Sequence, residues 1–277
     1  MGKGRFQINV REVAASKIPN LYSRIPHFLF RYLEKKIHQD ELNEILTINR
    51  DKDGVDFMQG AIDYFELKFH VIGLENLPAD RALIFASNHP LGGMDGICLS
   101  ALIGKHYDHK IKYLVNDILY YIDNLRNIFI PINKYGRQSR ETRNMMDEAF
   151  RSDNQIITFP AGLCSRRVNG VVQDLPWGKN FIQKAVEYKR DVVPVFFDGK
   201  NSNFFYRLAN IRKKLGIKFN FEMLYLPDEM FKNKGKTFTV YFGRPIPWQT
   251  FDKSKSPFQW AQYVKEISVR LKTSTKK

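Results

Sequence analysis

The sequence predicts an α/β fold: a mixed sheet flanked by helices, preceded by an N-terminal helical appendage. Three observations predict it. Short apolar runs bounded by turn residues recur between residues 66 and 250. Helical patterns alternate with those runs, as they do where helices cover a sheet. The first 65 residues carry helical periodicity without a strand-like run. The chain divides on this reading into a helical segment at 1–65, a central domain at 66–250 and a C-terminal helix at 251–277 that packs on the domain. Its 277 residues are enough for one large domain.

The elements follow in order. Over residues 18–37, Leu21, Ile25, Phe28, Leu29, Tyr32 and Leu33 alternate with Arg24, Arg31, Lys35 and Lys36, and Pro26 stands where a helix can begin. Further helices are predicted over 39–46 and 55–67. A strand at 68–73 and a turn at Asn76-Leu77-Pro78 lead to a buried strand at 81–86. That strand ends in Ser87-Asn88-His89-Pro90-Leu91-Gly92-Gly93-Met94-Asp95, and a helix is predicted from 96 to 103. Strands are expected at 111–115, 127–132, 155–159, 192–197 and 238–242, and helices at 140–151, 179–188 and 257–272.

Composition narrows the partners. A net charge of +15 implies attraction to a polyanion: nucleic acid, anionic lipid, an acidic carrier protein or a phosphorylated substrate. Zinc-finger spacing, ribonucleoprotein aromatics and a basic zipper are all missing, so nucleic acid is not expected. Cys98 and Cys164 lie far apart in no metal-type spacing, which suits a reducing cytoplasm. No apolar run reaches the length of a spanning helix, and the first ten residues are polar and basic. A cytoplasmic protein is expected, with any membrane contact peripheral.

The loop from His89 to Asp95 is the most informative stretch. In open α/β sheets, ligands bind at the carboxyl ends of strands. A histidine stands at such an end, and a carboxylate follows six residues later across a Pro/Gly-rich loop that can fold back. An imidazole can take a proton from a hydroxyl, and a carboxylate on its other nitrogen fixes the tautomer and stabilises the imidazolium. A substrate hydroxyl then takes the place of the serine in a triad. The plainer alternative is that Asp95 only caps the following helix and His89 is a hydrogen-bonded loop residue.

Ser87-Asn88-His89-Pro90 through Asp95 resembles the signature loop of the lysophospholipid (glycerolipid) acyltransferase family, in the branch once called haemolysin-like that includes aminolipid O-acyltransferases. The usual spacing has four residues between His and Asp; here there are five. Four further stretches are similar to that family's blocks, in order: 128–134, ending in Lys134; Phe159-Pro160-Ala161-Gly162; Val193-Pro194-Val195; and Gly243-Arg244-Pro245-Ile246. The resemblance implies a glycerolipid acyltransferase-like fold and a catalytic pair of His89 and Asp95. It further implies an acceptor site drawn from Lys134, Phe159, Pro160, Gly162 and Ser165. Where the family has glutamate in its third block, this chain has Ala161, and Leu163-Cys164 stand where Thr-Arg is usual. Arg166 and Arg167 follow at once and can bind a carboxylate or phosphate bidentately. A solvated loop is the alternative for them, as a surface lysine is for Lys134. A lining role suits Cys164 better than an acyl-cysteine does, since a reactive thiol needs a base or a positive field.

The implied activity moves a fatty acyl group from an acyl carrier protein or coenzyme A thioester to the hydroxyl of a lysolipid, with no metal and no other cofactor. The lysolipid is a lyso-aminolipid or lysophosphatidate. Such an enzyme rests on an anionic membrane, here the cytoplasmic face of the inner membrane. The residues expected to touch it are Phe28 and Leu29, and Phe204, Phe205, Leu208, Lys213 and Lys214 in a basic amphipathic helix that Gly216 ends. A non-catalytic lipid-binding or membrane-perturbing protein on the same fold is the competing reading.

Overall fold

The computed structural model describes residues 7–17, 19–116, 122–132 and 139–274. Five helices open it: α1 (Val10–Lys17), α2 (Pro19–Tyr22), α3 (His27–Lys36), α4 (Gln39–Ile48) and α5 (Gly54–Tyr64). The apolar and basic stretch over 18–37 is therefore two helices. Pro26 is extended, at φ −60° and ψ 142°, and caps α3 from outside, because a proline restricts its predecessor and interrupts the run from α2. Phe30 turns inward against Tyr22, while Phe28 and Leu29 stay exposed. His38 adopts left-handed backbone between α3 and α4, where its ring stacks on Phe231 at 4.2 Å. Phe57, Met58 and Ala61 of α5 join the main apolar core, so this helix of the N-terminal segment is built into the central domain.

The strands are β1 (Lys68–Ile72), β2 (Ile84–Ser87), β3 (Ile111–Asn116), β4 (Phe129–Ile132), β5 (Gln155–Thr158), β6 (Arg166–Val168), β7 (Val171–Gln173), β8 (Val192–Asp198) and β9 (Thr237–Phe242). Seven of them form one mixed sheet in the order β1-β9-β8-β2-β5-β3-β4. The run from β8 to β4 is parallel; β9 is antiparallel to β8, and β1 is parallel to β9. The mixed α/β class expected from the sequence is what the chain adopts. The small hairpin β6–β7 stands apart from the main sheet.

The remaining helices are α6 (Gly93–His106), α7 (Arg140–Arg151), α8 (Asn180–Tyr188), α9 (Asn203–Lys214), α10 (Leu226–Phe231) and α11 (Pro257–Ser274). Helices cover both faces of the sheet, which explains why its central strands read as unbroken apolar runs. Successive side chains of a strand point to opposite faces. Phe85 accordingly faces the cluster containing α5 and α6, while Ile84 and Ala86 face the one containing α7, α8 and α11. Through α11, Trp260, Ala261 and Val264 are buried and Ser268 Oγ donates to Val195 O.

At its carboxyl end β2 is extended by a side chain. Asn88 Nδ2 donates to Phe197 O at 3.0 Å, and Asn88 Oδ1 accepts from Phe197 N at 2.7 Å. The amide takes the place of a further peptide in the β2–β8 ladder and fixes where the following loop leaves the sheet. Replacing Asn88 by Asp puts a second acceptor against the Phe197 carbonyl in a buried position. Urea unfolding of Asn88→Asp is expected to show a loss of roughly 2–4 kcal/mol; a loss below about 0.5 kcal/mol would contradict the ladder role.

Candidate active site

Loops from β2, β5 and β8 converge at the carboxyl ends of these parallel neighbours. The β2 loop supplies His89. Its Nδ1 lies 2.9 Å from Asp95 Oδ1. Asp95 is fully buried, while the imidazole is 18% exposed. The Phe159 ring, from the β5 loop, packs on His89 with centroids 4.2 Å apart. The imidazole is thus fixed at one nitrogen and along one face.

The helix expected from residue 96 begins at Gly93, so Asp95 lies in the first turn of α6 rather than in the loop. Its other oxygen, Oδ2, accepts from Leu91 N at 2.9 Å. One carboxylate thus holds the loop backbone and faces the imidazole. The positive end of the helix dipole favours its charge. The tight entry depends on Gly92, at φ 77° and ψ −116°, where a Cβ would come within 2.9 Å of Leu226.

Sequence reasoning missed the chief partner of this loop. Asp174, just after β7, accepts from His89 N at 3.2 Å on both carboxylate oxygens. The same carboxylate accepts from Ser165 Oγ at 2.5 Å and from Trp177 Nε1 at 2.9 Å. Burial pushes the Asp174 carboxyl above its ordinary range, against the opposing effect of these donors. No local pattern in Gln173-Asp174-Leu175 signals the role; it follows only from the hairpin's placement.

Several expected acceptor residues are used otherwise. Ser165 N donates to His89 O at 2.7 Å, so Ser165 supports the loop with both its hydroxyl and its amide. Pro160 O and Phe159 O accept from Gly178 N and Gly162 N, which shapes the turn after β5. Arg166 is buried, not open to an acceptor. It donates to Cys164 O, lies 3.2 Å from Glu222, and sits over Phe205. Arg212 reaches the other oxygen of the fully buried Glu222 at 2.8 Å. Arg167 points elsewhere: Nη2 donates to Asn203 Oδ1 at 2.7 Å, and the guanidinium lies 5.2 Å over Tyr206. Its Nε is buried without a hydrogen-bond partner among the described residues. Lys134 lies outside the described residues.

Burial pushes the Cys164 thiol up although Arg166 pulls it down, so a resting thiolate is disfavoured. Of the expected membrane residues, Phe28, Leu29, Phe204, Lys213 and Lys214 are exposed and Leu208 is half-buried. Phe205 is a correction: it is fully buried with Cys164 and Tyr206, because it occupies the face of α9 that packs on the hairpin. No helix among the described residues is long and apolar enough to cross a membrane.

The family described as acyltransferase matches residues 12–276. The chain is 55% identical to a lyso-glycine lipid O-acyltransferase of Bacteroides thetaiotaomicron, over 96% of this chain and 98% of that protein. It is 52% identical to a protein of the same description from Phocaeicola vulgatus, over 96% and 95%. The crystal structure of the 1-acyl-sn-glycerophosphate acyltransferase PlsC from Thermotoga maritima shares the fold, with a TM-score of 0.50 at 18% identity and 95% of each chain covered.

Glu222 is the sole carboxylate joining Arg166 and Arg212 in this cluster. Removing one member of a buried ion pair leaves the others uncompensated, at a cost of about 3–5 kcal/mol. Glu222→Ala is expected to lose that much in urea unfolding, whereas a loss under about 1 kcal/mol would mean that the cluster is relaxed and solvated.

Proposed function

The chain belongs to the acyltransferase family, and from that premise we propose that it acylates the free hydroxyl of a lyso-glycine lipid with His89 as general base. The observation that carries the mechanism is the 2.9 Å contact of His89 Nδ1 with Asp95. Nδ1 faces the carboxylate, and Nε2 is the nitrogen that receives the acceptor's proton. The hydroxyl oxygen then bonds to the thioester carbonyl carbon. Collapse of the tetrahedral intermediate breaks the C–S bond, and the imidazolium returns the proton to the departing thiolate. The thioester is carried by acyl carrier protein or coenzyme A, and the reaction calls on no metal or other cofactor.

The developing oxyanion needs donors aimed at it. The amides of Gly162 and Ser165 are engaged with Phe159 O and His89 O, which favours those of Leu163 and Cys164 for that role. The acceptor's identity draws support from the two relatives, both described as lyso-glycine lipid O-acyltransferases. A glycine headgroup presents a carboxylate, which suits a guanidinium with an unused donor. Arg167 has one, and Arg166 is committed to Glu222.

The acceptor is a membrane lipid, and one face of the protein suits a bilayer. Phe28 and Leu29 of α3 are exposed, as are Phe204 and Ile211 of α9 and Leu215 and Phe219 beyond it. Tyr32 and Tyr225 join the two regions through a hydroxyl contact of 3.0 Å. Exposed Lys213 and Lys214 add charge, each worth on the order of 1 kcal/mol near an anionic leaflet. A peripheral position on the cytoplasmic face of the inner membrane follows from this reading.

The deciding experiment is acyl transfer by purified protein from acyl carrier protein and coenzyme A thioesters to a panel of lysolipids. Transfer to an N-(3-hydroxyacyl)glycine is expected to exceed transfer to lysophosphatidate, and His89→Ala to lower kcat by about 10²–10⁴-fold. Arg167→Ala is expected to act mainly on the KM of the glycine acceptor. Transfer unaffected by His89→Ala would overturn the mechanism, and firm lipid binding with no transfer to any acceptor would favour a non-catalytic lipid-binding protein.

Membrane contact has its own test. Phe28→Ser combined with Phe219→Ser is expected to lower sedimentation with phosphatidylglycerol-containing vesicles about tenfold, while leaving transfer to detergent-dispersed acceptor intact. Unchanged sedimentation would remove that face from consideration.

A further inference from the structure

We propose that Asp174 is a positioning residue for acyl transfer: with Ser165 it clamps the backbone of His89 on both sides and adds a second carboxylate against that residue. The proposal rests on the reading of His89 as the base. β2 ends at Ser87, and Pro90 and Gly92 keep the next residues out of regular structure. The His89 peptide groups therefore have no ladder to join, and buried peptide groups need partners. Asp174 takes the N–H and Ser165 N supplies the C=O, while the Ser165 hydroxyl ties those two partners together. The closed triangle fixes the Cα from which the imidazole projects. Asp95 and Phe159 then fix the ring itself.

A carboxylate is a costly choice for that task. Asp174 is 7% exposed, and a buried charge is tolerated only when well compensated. A neutral acceptor would satisfy the His89 amide with less desolvation. The titratable groups facing Asp174 among the described residues are His89 and, from α11, Lys265, whose Nζ donates to the backbone carbonyls of Asp174 and Leu175 at 2.8 and 3.3 Å. Ser165 and Trp177 complete its surroundings. The ionised carboxylate here favours the imidazolium that forms when His89 takes the acceptor's proton. Asp95 acts on the ring nitrogen and Asp174 from beneath the backbone, so the two carboxylates are not interchangeable.

The test compares the wild type, His89→Ala, Asp174→Asn, Ser165→Ala and Trp177→Phe by kcat, acceptor KM, the pH profile of kcat/KM and thermal melting. Asparagine keeps the shape but sets an NH2 donor against the His89 or Trp177 N–H. It is expected to lower kcat about 100-fold, as displacement of a catalytic group by about 1 Å does, with KM within about threefold. Loss of the charge weakens the imidazolium, so the acid limb of the profile moves to lower pH. Ser165→Ala keeps the charge; it is expected to lower kcat roughly tenfold with the acid limb in place. An Asp174→Asn enzyme with at least half the wild-type kcat overturns the proposal. So does a loss explained wholly by unfolded protein while the acid limb stays put. Should Asp174→Asn fail to fold, Ser165→Ala and Trp177→Phe decide: wild-type kcat in both overturns the clamp, and a fall in both supports it. Activity retained in His89→Ala marks failure of the base itself, a separate outcome from failure of Asp174.

Discussion

Where β2 stops, the residues from Asn88 to Leu91 must satisfy their backbone groups without a ladder, and the rest of the site is arranged around that need. The Asn88 side chain borrows the backbone of β8. His89 is held by Asp174 and Ser165. Pro90 O accepts from Asn201 Nδ2, and Leu91 N donates to Asp95. Each anchor comes from a different element, so the loop is rigid only when β8, the hairpin β6–β7, the α9 entrance and α6 are all in place. Precision at a candidate base needs such outside support, because a loop alone positions a side chain loosely.

Electrostatics reinforces the geometry. Asp95 lies at the positive end of α6 and bridges a backbone amide and the imidazole, so its charge is held by a dipole, a hydrogen bond and an ion-pair partner. The two oxygens of this carboxylate face in different directions, Oδ2 toward Leu91 N and Oδ1 toward the imidazole. Cys98 and Tyr113 share this buried neighbourhood, and both are pushed up by burial and then by the Asp95 charge. Both groups are thereby held neutral beside the carboxylate.

The sequence made legible what is local and periodic. The buried strands, α6 and the His89–Asp95 pair all follow from apolar runs, a Pro/Gly loop and a junction at a strand's end. The hairpin β6–β7 was not legible: its strands are three residues each, and one begins with two arginines. Arg166 and Arg167 looked equivalent as charges. They differ because neighbouring strand residues face opposite ways, one into Glu222 and the other toward Tyr206. Phe204 and Phe205 separate for a related reason, since successive helix positions point about 100° apart. Residue type gave the apolar stripe of α9 but not which edge of it meets the hairpin. Asp174 carries no local signature, since its partners lie 85 and 9 residues away at His89 and Ser165.

The Arg166–Glu222–Arg212 cluster ties these themes together. Buried ion pairs contribute little net stability against their desolvation, yet they enforce one arrangement of the elements that carry them. Here those elements are β6, α9 and the 221–225 turn. The turn and α9 bear the exposed Leu224 and Phe204, and β6 begins one residue after Ser165, whose amide holds His89. A surface suited to lipid and the backbone of the candidate base are thus linked through a few buried polar contacts. Apolar packing of the same volume would serve stability as well, but it would permit the helix to slide along the hairpin. A cluster with fixed donor and acceptor directions does not, so the choice of buried charge there fits a demand for register between the exposed apolar surface and the candidate site.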